Sequence, residues 1–257
     1  MQTKEDIFLE GQILDKILQC QENYVAVHTG FLDLHQQSLA QNIIKREIKK
    51  RGIKALFYGA YEEAIRRILF FFPDYVEKDS CGEFENSFGV LEVSKIDRKI
   101  SLTHRDYLGA FTGLGLKREM LGDVLVREEG ADLIALKEII PILLREYHSV
   151  GKSSVRVREK PLQELIFSEN VMIRERGSVS SLRLDNVLSE IFHLSRAQAQ
   201  EWIQKGNVYV NYVEKRKNES PVQAGDTIVI RGKGKRKIDK IEAVNKKNKF
   251  PIYYIKY

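Results

Sequence analysis

The stretch SLRLDNVLSEIFHLSRAQAQEWIQKGNVYVN, residues 181–211, contains two short helical patterns followed by the start of a strand. Leu184, Val187, Leu188 and Ile191 recur at helical spacing and line one face of the first helix. Ser195 stands where an N-cap hydroxyl can satisfy a free backbone N–H of the second. Ala197, Ala199, Trp202 and Ile203 form that helix's expected packing face. Gly206 suits the left-handed turn that ends it, and NVYVN begins a strand. VQAGDTIVIRG, residues 222–232, then supplies a Gly-Asp turn and a further strand. Polar or cationic residues, Ser195–Arg196, Lys205–Gly206 and Asn211, mark the ends of these elements.

Charge sharpens this reading. The 257-residue chain carries a net charge of +6 and has a sequence pI of about 9.1. From Ser181 onward there are 16 Lys+Arg against 8 Asp+Glu, whereas the first 180 residues hold 26 basic and 28 acidic side chains. All of the excess positive charge therefore lies in the last third, a pattern that points to an anionic partner. Cys20 and Cys81 form no CxxC pair and the five histidines are scattered, so neither a disulfide framework nor a metal site is expected. The N-terminus has no apolar leader and Ile68–Phe72 is too short to span a bilayer, so a cytoplasmic protein with no membrane partner is expected.

Upstream, an amphipathic helix is predicted over about residues 4–22 with Ile7, Leu14, Ile17 and Leu18 on its apolar face. A second helix runs from about Leu34 to Lys50, IKALFYG and ILFFFPDY read as strands, and AYEEAIRR reads as a short helix. Residues 1–78 thus form a small N-terminal α/β domain. Residues 79–165 show the order β-α-β-β-α-β of a ferredoxin-like, RRM-like domain. Its strands are SFGVLEVSKI, GDVLVRE, ADLIALK and SSVRVREK, and its second helix has Pro141 in the first turn. The aromatic pattern that RNA recognition modules use for stacking is not in these strands. Thr103 and Asp106 make a capping-box-like start to THRDYLGAFTGLGL. Gly109 is placed for close helix packing and Gly115 for stopping the helix. Residues 166–180 are a connector that includes a strand. Residues 181–257 are the last domain, and the class is α+β.

The final segment resembles the RNA-binding domain of small-subunit ribosomal protein S-four, the αL motif. The resemblance rests on Arg-Leu-Asp, Leu-Ser-Arg, Gly-x-Val-x-Val-Asn and Gly-Asp-x-Ile over roughly residues 181–237. It implies two helices packed across a small sheet, presenting basic residues to structured RNA. Helix N-termini add N–H groups for a phosphate, and folded RNA is read by shape and charge. The RNA-contacting set is then Arg183, Ser195, Arg196, Lys205, Gly206 and Asn211, with Lys233, Lys235, Arg236 and Lys237 after the last strand of the motif. With GAYEEAIRR, FPDY and THRDYLGAFTGLGLKREMLGDVLV, the whole chain resembles the bacterial YlmH family, whose Gly and Arg are expected where Ala60 and Ile65 stand. That resemblance implies a monomeric protein in ribosome-associated quality control. Its expected partners are the ribosome, ribosomal RNA of the large subunit, and tRNA, and its genes lie among cell-division genes. His104, Arg105, Lys117 and Arg118 are a possible second RNA contact.

Catalysis is not expected. Some pseudouridine synthases carry a catalytic Asp in an Arg-Leu-Asp, but in a separate, larger domain, whereas Asp185 sits inside the binding domain at a helix start. No glycine-rich cofactor loop follows a strand, which argues against a methyltransferase, and no cofactor is expected. An RNA-modifying enzyme and a cell-division scaffold are the alternatives.

Overall fold

The computed structural model describes residues 3–48, 51–76, 84–97, 99–165, 173–245 and 247–256. The chain divides into two compact units, residues 1–167 and 168–257. Cys81 and part of the expected connector lie outside the described residues.

Helix α1 (Lys4–Asn23) starts at a Thr3–Asp6 capping box. Its buried stripe is Leu9, Ile13, Ile17 and Cys20, spaced by three and four residues. This corrects the predicted face: Ile7 and Leu18 are 60% and 42% exposed, because both fall away from that stripe around the helix. Strand β1 (Val27–Leu32), which the sequence reading missed, precedes α2 (Leu34–Glu47). Strands β2 (Ile53–Tyr58) and β3 (Arg67–Pro73) complete an antiparallel sheet of order β1-β3-β2.

The segment AYEEAIRR is not a helix. Ala60, its first residue, adopts a left-handed backbone with φ 73° and so lies outside helical geometry. The Asp123 carboxylate then accepts the backbone N–H groups of Ile65 (2.7 Å) and Arg66 (3.0 Å) and the Tyr61 hydroxyl (2.7 Å). A Cβ in the left-handed region is strained, which accounts for a glycine being the expected residue there. Ala60→Gly is expected to raise stability by about 0.5–1 kcal/mol, read as a higher thermal midpoint; an unchanged midpoint would show that the alanine is not strained.

Strands β4 (Phe88–Lys95), β5 (Leu121–Arg127) and β6 (Gly130–Leu136), helices α3 (His104–Gly113) and α4 (Ile140–Glu146), and strands β7 (Ser149–Val150) and β8 (Ser153–Lys160) follow. Their order β5-β6-β4-β8-β7, antiparallel throughout, is the ferredoxin-like sheet with one short added strand. The Thr103 backbone N–H and hydroxyl both donate to Asp106 at 2.7 Å, and Gly115 (φ 76°) ends the turn after α3. Gly109 does not serve close packing, since a Cβ there would meet nothing within 4 Å.

Alternation along the strands decides which sheet face is free. Leu91, Val93, Ala131 and Leu133 face the helices, in one core with Tyr107, Phe111 and Leu143. On the opposite face, Phe88, Val90, Ile134 and Leu136 share a second core with Phe31, Phe70 and Phe72 of the N-terminal sheet. Gly122 permits this approach, because a Cβ there would stand 2.6 Å from the Phe31 ring. The rest of that face is a charge cluster: buried Asp132 meets Lys160 at 2.7 Å and Arg127 at 2.5 Å, and Glu92 meets Arg158 at 2.7 Å. The face that RRM-type domains use for base stacking is thus occupied from within the same unit.

In the second unit, β9 (Ile173–Val179), β10 (Val208–Val210), β11 (Val213–Glu214), β12 (Thr227–Ile230), β13 (Gly234–Ile241) and β14 (Phe250–Lys256) make a sheet of order β11-β10-β12-β13-β14-β9. Helices α5 (Leu184–Ile191) and α6 (Arg196–Gln204) pack on one side of it. Their core holds Leu184, Val187, Leu188, Ile191, Ala199 and Ile203 with Val208, Ile228, Ile238 and Ile252. Ala197 is exposed, so it is not part of the packing face predicted for it. Lys235, Arg236 and Lys237 follow β12, the last strand of the motif, and lie within the further strand β13.

Candidate RNA-binding site

Helix α6 begins where the sequence places it. The Gln198 backbone N–H donates to the Ser195 hydroxyl (3.2 Å), and the Ser195 N–H donates to the Gln198 side chain (3.0 Å). It ends in a Schellman turn: Gly206 (φ 72°) donates to Ile203 O at 3.0 Å and Asn207 donates to Trp202 O at 3.1 Å. Ser195 and Gly206 therefore fix the two ends of the helix.

Arg183 is the N-cap of α5 and Arg196 the first residue of α6. The two converge on Asp185, whose side chain is fully buried. Arg183 donates to the Asp185 carboxylate at 3.1 and 3.3 Å, Arg196 at 3.3 Å from two nitrogens, and Gln200 at 3.1 Å. The Asn186 backbone N–H adds a bond of 3.0 Å. Arg196 and Gln200 are four residues apart and so share one helix face. The arginine side chains remain 43% and 65% exposed. A buried carboxylate thus anchors two guanidinium groups from different helices while leaving part of each at the surface. Arginine keeps donors available after such pairing, because it carries five N–H groups.

Burial alone raises the pKa of Asp185. The Arg183 and Gln200 hydrogen bonds and the charges of Arg183 and Arg196 outweigh it, holding the carboxyl below the usual carboxylate range. The sign follows: with the folded value depressed, this stabilisation is full above the unfolded value of about 3.9 and is lost as pH falls through the folded value. Acid unfolding of the second unit, followed by the fluorescence of Trp202, the single tryptophan, is expected to lose this limb in Asp185→Asn. An identical acid profile in the variant would contradict the assignment.

The N–H groups that open α5 are not free for a phosphate, as helix-terminus reasoning had expected. Leu184 donates to Ser220 O at 2.9 Å and Asp185 to Asn218 O at 3.0 Å. An anion at the start of α5 meets the arginine side chains instead.

The other predicted residues fall elsewhere. Lys205 pairs with Glu201 at 2.6 Å, and Lys233 stands 5.5 Å from the Trp202 ring centroid. Both lie by the far end of α6, about 13 Å from its start at 1.5 Å per residue. Arg236 is buried over the Phe192 ring at 4.8 Å, on the helix side of the sheet. Lys235 is also buried, and Lys237 is half-buried on the outer side. Asn211 is exposed with a left-handed backbone, and its amide is used locally: Nδ2 donates to Asp226 at 2.8 Å and Oδ1 accepts from Thr227 N at 2.9 Å.

In the first unit, His104, Arg105 and Lys117 are exposed, and Lys117 lies 3.9 Å from Glu119. Arg118 turns inward, donating to the Leu121 and Gly122 carbonyls. Burial, with Arg66 nearby, pushes its pKa down to about 10. Arg66, not singled out from sequence, donates to Leu121 O at 3.0 Å and Phe31 O at 2.7 Å. Among the described residues no group of His, Cys, Asp and Glu side chains is placed to hold a metal ion, and no helix is long and apolar enough to cross a membrane.

Two helices across an antiparallel sheet, with paired arginines at the helix starts, define an RNA-binding protein of the S4 class, and residues 182–228 match the S4 domain. Residues 82–164 match the putative RNA-binding domain in YlmH. The Bacillus subtilis (strain 168) protein named ribosome-associated protein quality control protein P2 is 32% identical over 235 residues, 91% of this chain and 88% of that one. The chain belongs to the YlmH family. The solved structure of cell division protein ylmH from Streptococcus pneumoniae shares the fold, with a TM-score of 0.52 at 23% identity over 65% of this chain and 98% of that one.

Proposed function

We propose that this protein is a non-enzymatic, cytoplasmic RNA-binding factor of ribosome-associated quality control. In this reading its C-terminal unit docks on ribosomal RNA of the large subunit, with tRNA alongside, where synthesis has stalled. The observation that carries it is the convergence of Arg183 and Arg196 on buried Asp185. Two guanidinium groups held about one carboxylate present a rigid, bidentate surface for phosphate, and the lost entropy of ordering them is met on folding rather than on binding. The B. subtilis relative's name supports the ribosomal setting.

The same geometry weighs against the enzymatic alternative. Both Asp185 oxygens are engaged by Arg183, and the carboxylate also receives Arg196, Gln200 and a backbone N–H, so it is not available as a nucleophile or base. The test is a cryo-EM reconstruction of the full chain on large subunits with and without bound tRNA. The expected map places Arg183 and Arg196 against ribosomal RNA phosphates, with tRNA adjoining the protein. A map in which that face points to solvent overturns the docking reading; unchanged occupancy without tRNA removes tRNA as a partner.

A further inference from the structure

The family-matched segment ends at residue 228, yet the sheet continues through β13 and β14 to β9. Glu175, Gly177, Ile238, Ile252 and Tyr254 of these strands face the helices, which leaves Arg174, Arg176, Lys237, Tyr253 and Ile255 on the other side by alternation. Register aligns them in two rows across the strands: Arg174–Ile255–Lys237 and Arg176–Tyr253–Lys240. Each row has an apolar or aromatic side chain flanked by cations. Arg176 and Lys240 stand 5.5 and 5.8 Å from the Tyr253 ring centroid. At about 4.8 Å between strands and 3.4 Å per residue, the flanking cations lie roughly 10 Å apart and the rows about 7 Å apart. Arg174, Arg176 and Lys240 are exposed, and Lys237, Tyr253 and Ile255 are half-buried. The acidic groups nearby are Glu242, 2.8 Å from Lys240, and Asp239, exposed at the bulge between Ile238 and Lys240. The strip is therefore net positive.

We propose that this outer face of β9, β14 and β13 is a second RNA-contact surface, which takes a single-stranded segment with a base on Tyr253 and its phosphates on the flanking cations. A cationic track with an aromatic platform is the arrangement that binds single strands without reading sequence. The inference rests on RNA being the partner of the helix side. It adds that the C-terminal unit engages RNA both at the starts of its helices and on the outer face of its sheet.

The test uses the full chain, a fluorescein-labelled twelve-residue oligouridylate and purified large subunits. Arg174→Gln/Arg176→Gln/Lys237→Gln/Lys240→Gln is expected to weaken oligouridylate binding at least about tenfold, with the salt slope falling by roughly 0.7 per lost contact. Tyr253→Leu is expected to weaken it about fivefold with the slope unchanged. Arg183→Ala/Arg196→Ala is expected to leave oligouridylate binding within about twofold of wild type while losing the subunits. If the fourfold variant melts early, the exposed pair Arg176→Gln/Lys240→Gln carries the test. Unchanged oligouridylate affinity in the outer-face variants overturns the proposal, as does an equal loss in the helix-side variant. So does binding to phosphatidylserine vesicles through these cations without oligouridylate binding. Retained subunit binding in the helix-side variant overturns the docking reading alone.

Discussion

Replacing Asp132 by alanine is expected to destabilise the first unit by about 3–5 kcal/mol. The Asp132 and Lys160 side chains are 0% and 1% exposed and meet at 2.7 Å, and Arg127 reaches the second carboxylate oxygen at 2.5 Å. Removing the carboxylate leaves a buried ammonium whose nearest remaining acidic group is Glu92, at 3.9 Å. The double replacement Asp132→Leu/Lys160→Met removes the buried pair and is expected to recover part of the loss, since such a pair is often no better than apolar residues of like size, while Arg127, 17% exposed, still loses its carboxylate. Arg158→Ala, whose side chain is 64% exposed in its pair with Glu92, is expected to cost no more than about 1 kcal/mol. Hydrogen exchange of β4 and β6 amides in urea measures all three. A loss under about 1 kcal/mol for Asp132→Ala would show that the cluster is solvated.

The second large effect is expected at Arg66. Its guanidinium donates to Phe31 O on β1 and to Leu121 O on β5, so one side chain ties the N-terminal sheet to the ferredoxin-like sheet. Arg66→Ala deprives the Phe31 carbonyl of its guanidinium donor and leaves the Leu121 carbonyl to Arg118, for about 1–3 kcal/mol in all. Arg66→Lys is not expected to rescue, because an ammonium cannot reproduce the fork of a guanidinium. The functional consequence is the opening of the Phe88 face, followed by limited proteolysis of β1 and by exchange of β5 amides. Full rescue by lysine would show that only the charge matters.

The C-terminal unit was the most legible part of the sequence because its signals are local. Ser195, Gly206 and the Leu184–Ile191 stripe each report on a backbone a few residues away. The β-α-β-β-α-β order was legible for the same reason. The covered sheet face was not, because it depends on Phe31, Phe70 and Phe72 meeting Phe88 from a different sheet. Arg66 and Asp123 carry no local signal either: their partners lie thirty-five residues or more away in the chain. The sequence places Asp185 in support of a helix N-terminus, and it does accept the Asn186 N–H. Its larger role needed the second helix in place, although the four-residue spacing of Arg196 and Gln200 was a signal for a shared contact. The basic run at residues 233–237 is one cluster in the sequence, but strand alternation sends Arg236 to one side of the sheet and Lys237 to the other.

In the proposed function Arg183 and Arg196, anchored by Asp185, are the phosphate contacts of the C-terminal unit. The direct measurement is the affinity of the full chain for purified large ribosomal subunits as a function of salt, for wild type and Arg183→Ala/Arg196→Ala. Loss of two contacts is expected to weaken binding and to reduce the slope of log K against log salt by about 1.4–1.8, at 0.7–0.9 per phosphate. Equal affinity and an equal slope for the two proteins would contradict it.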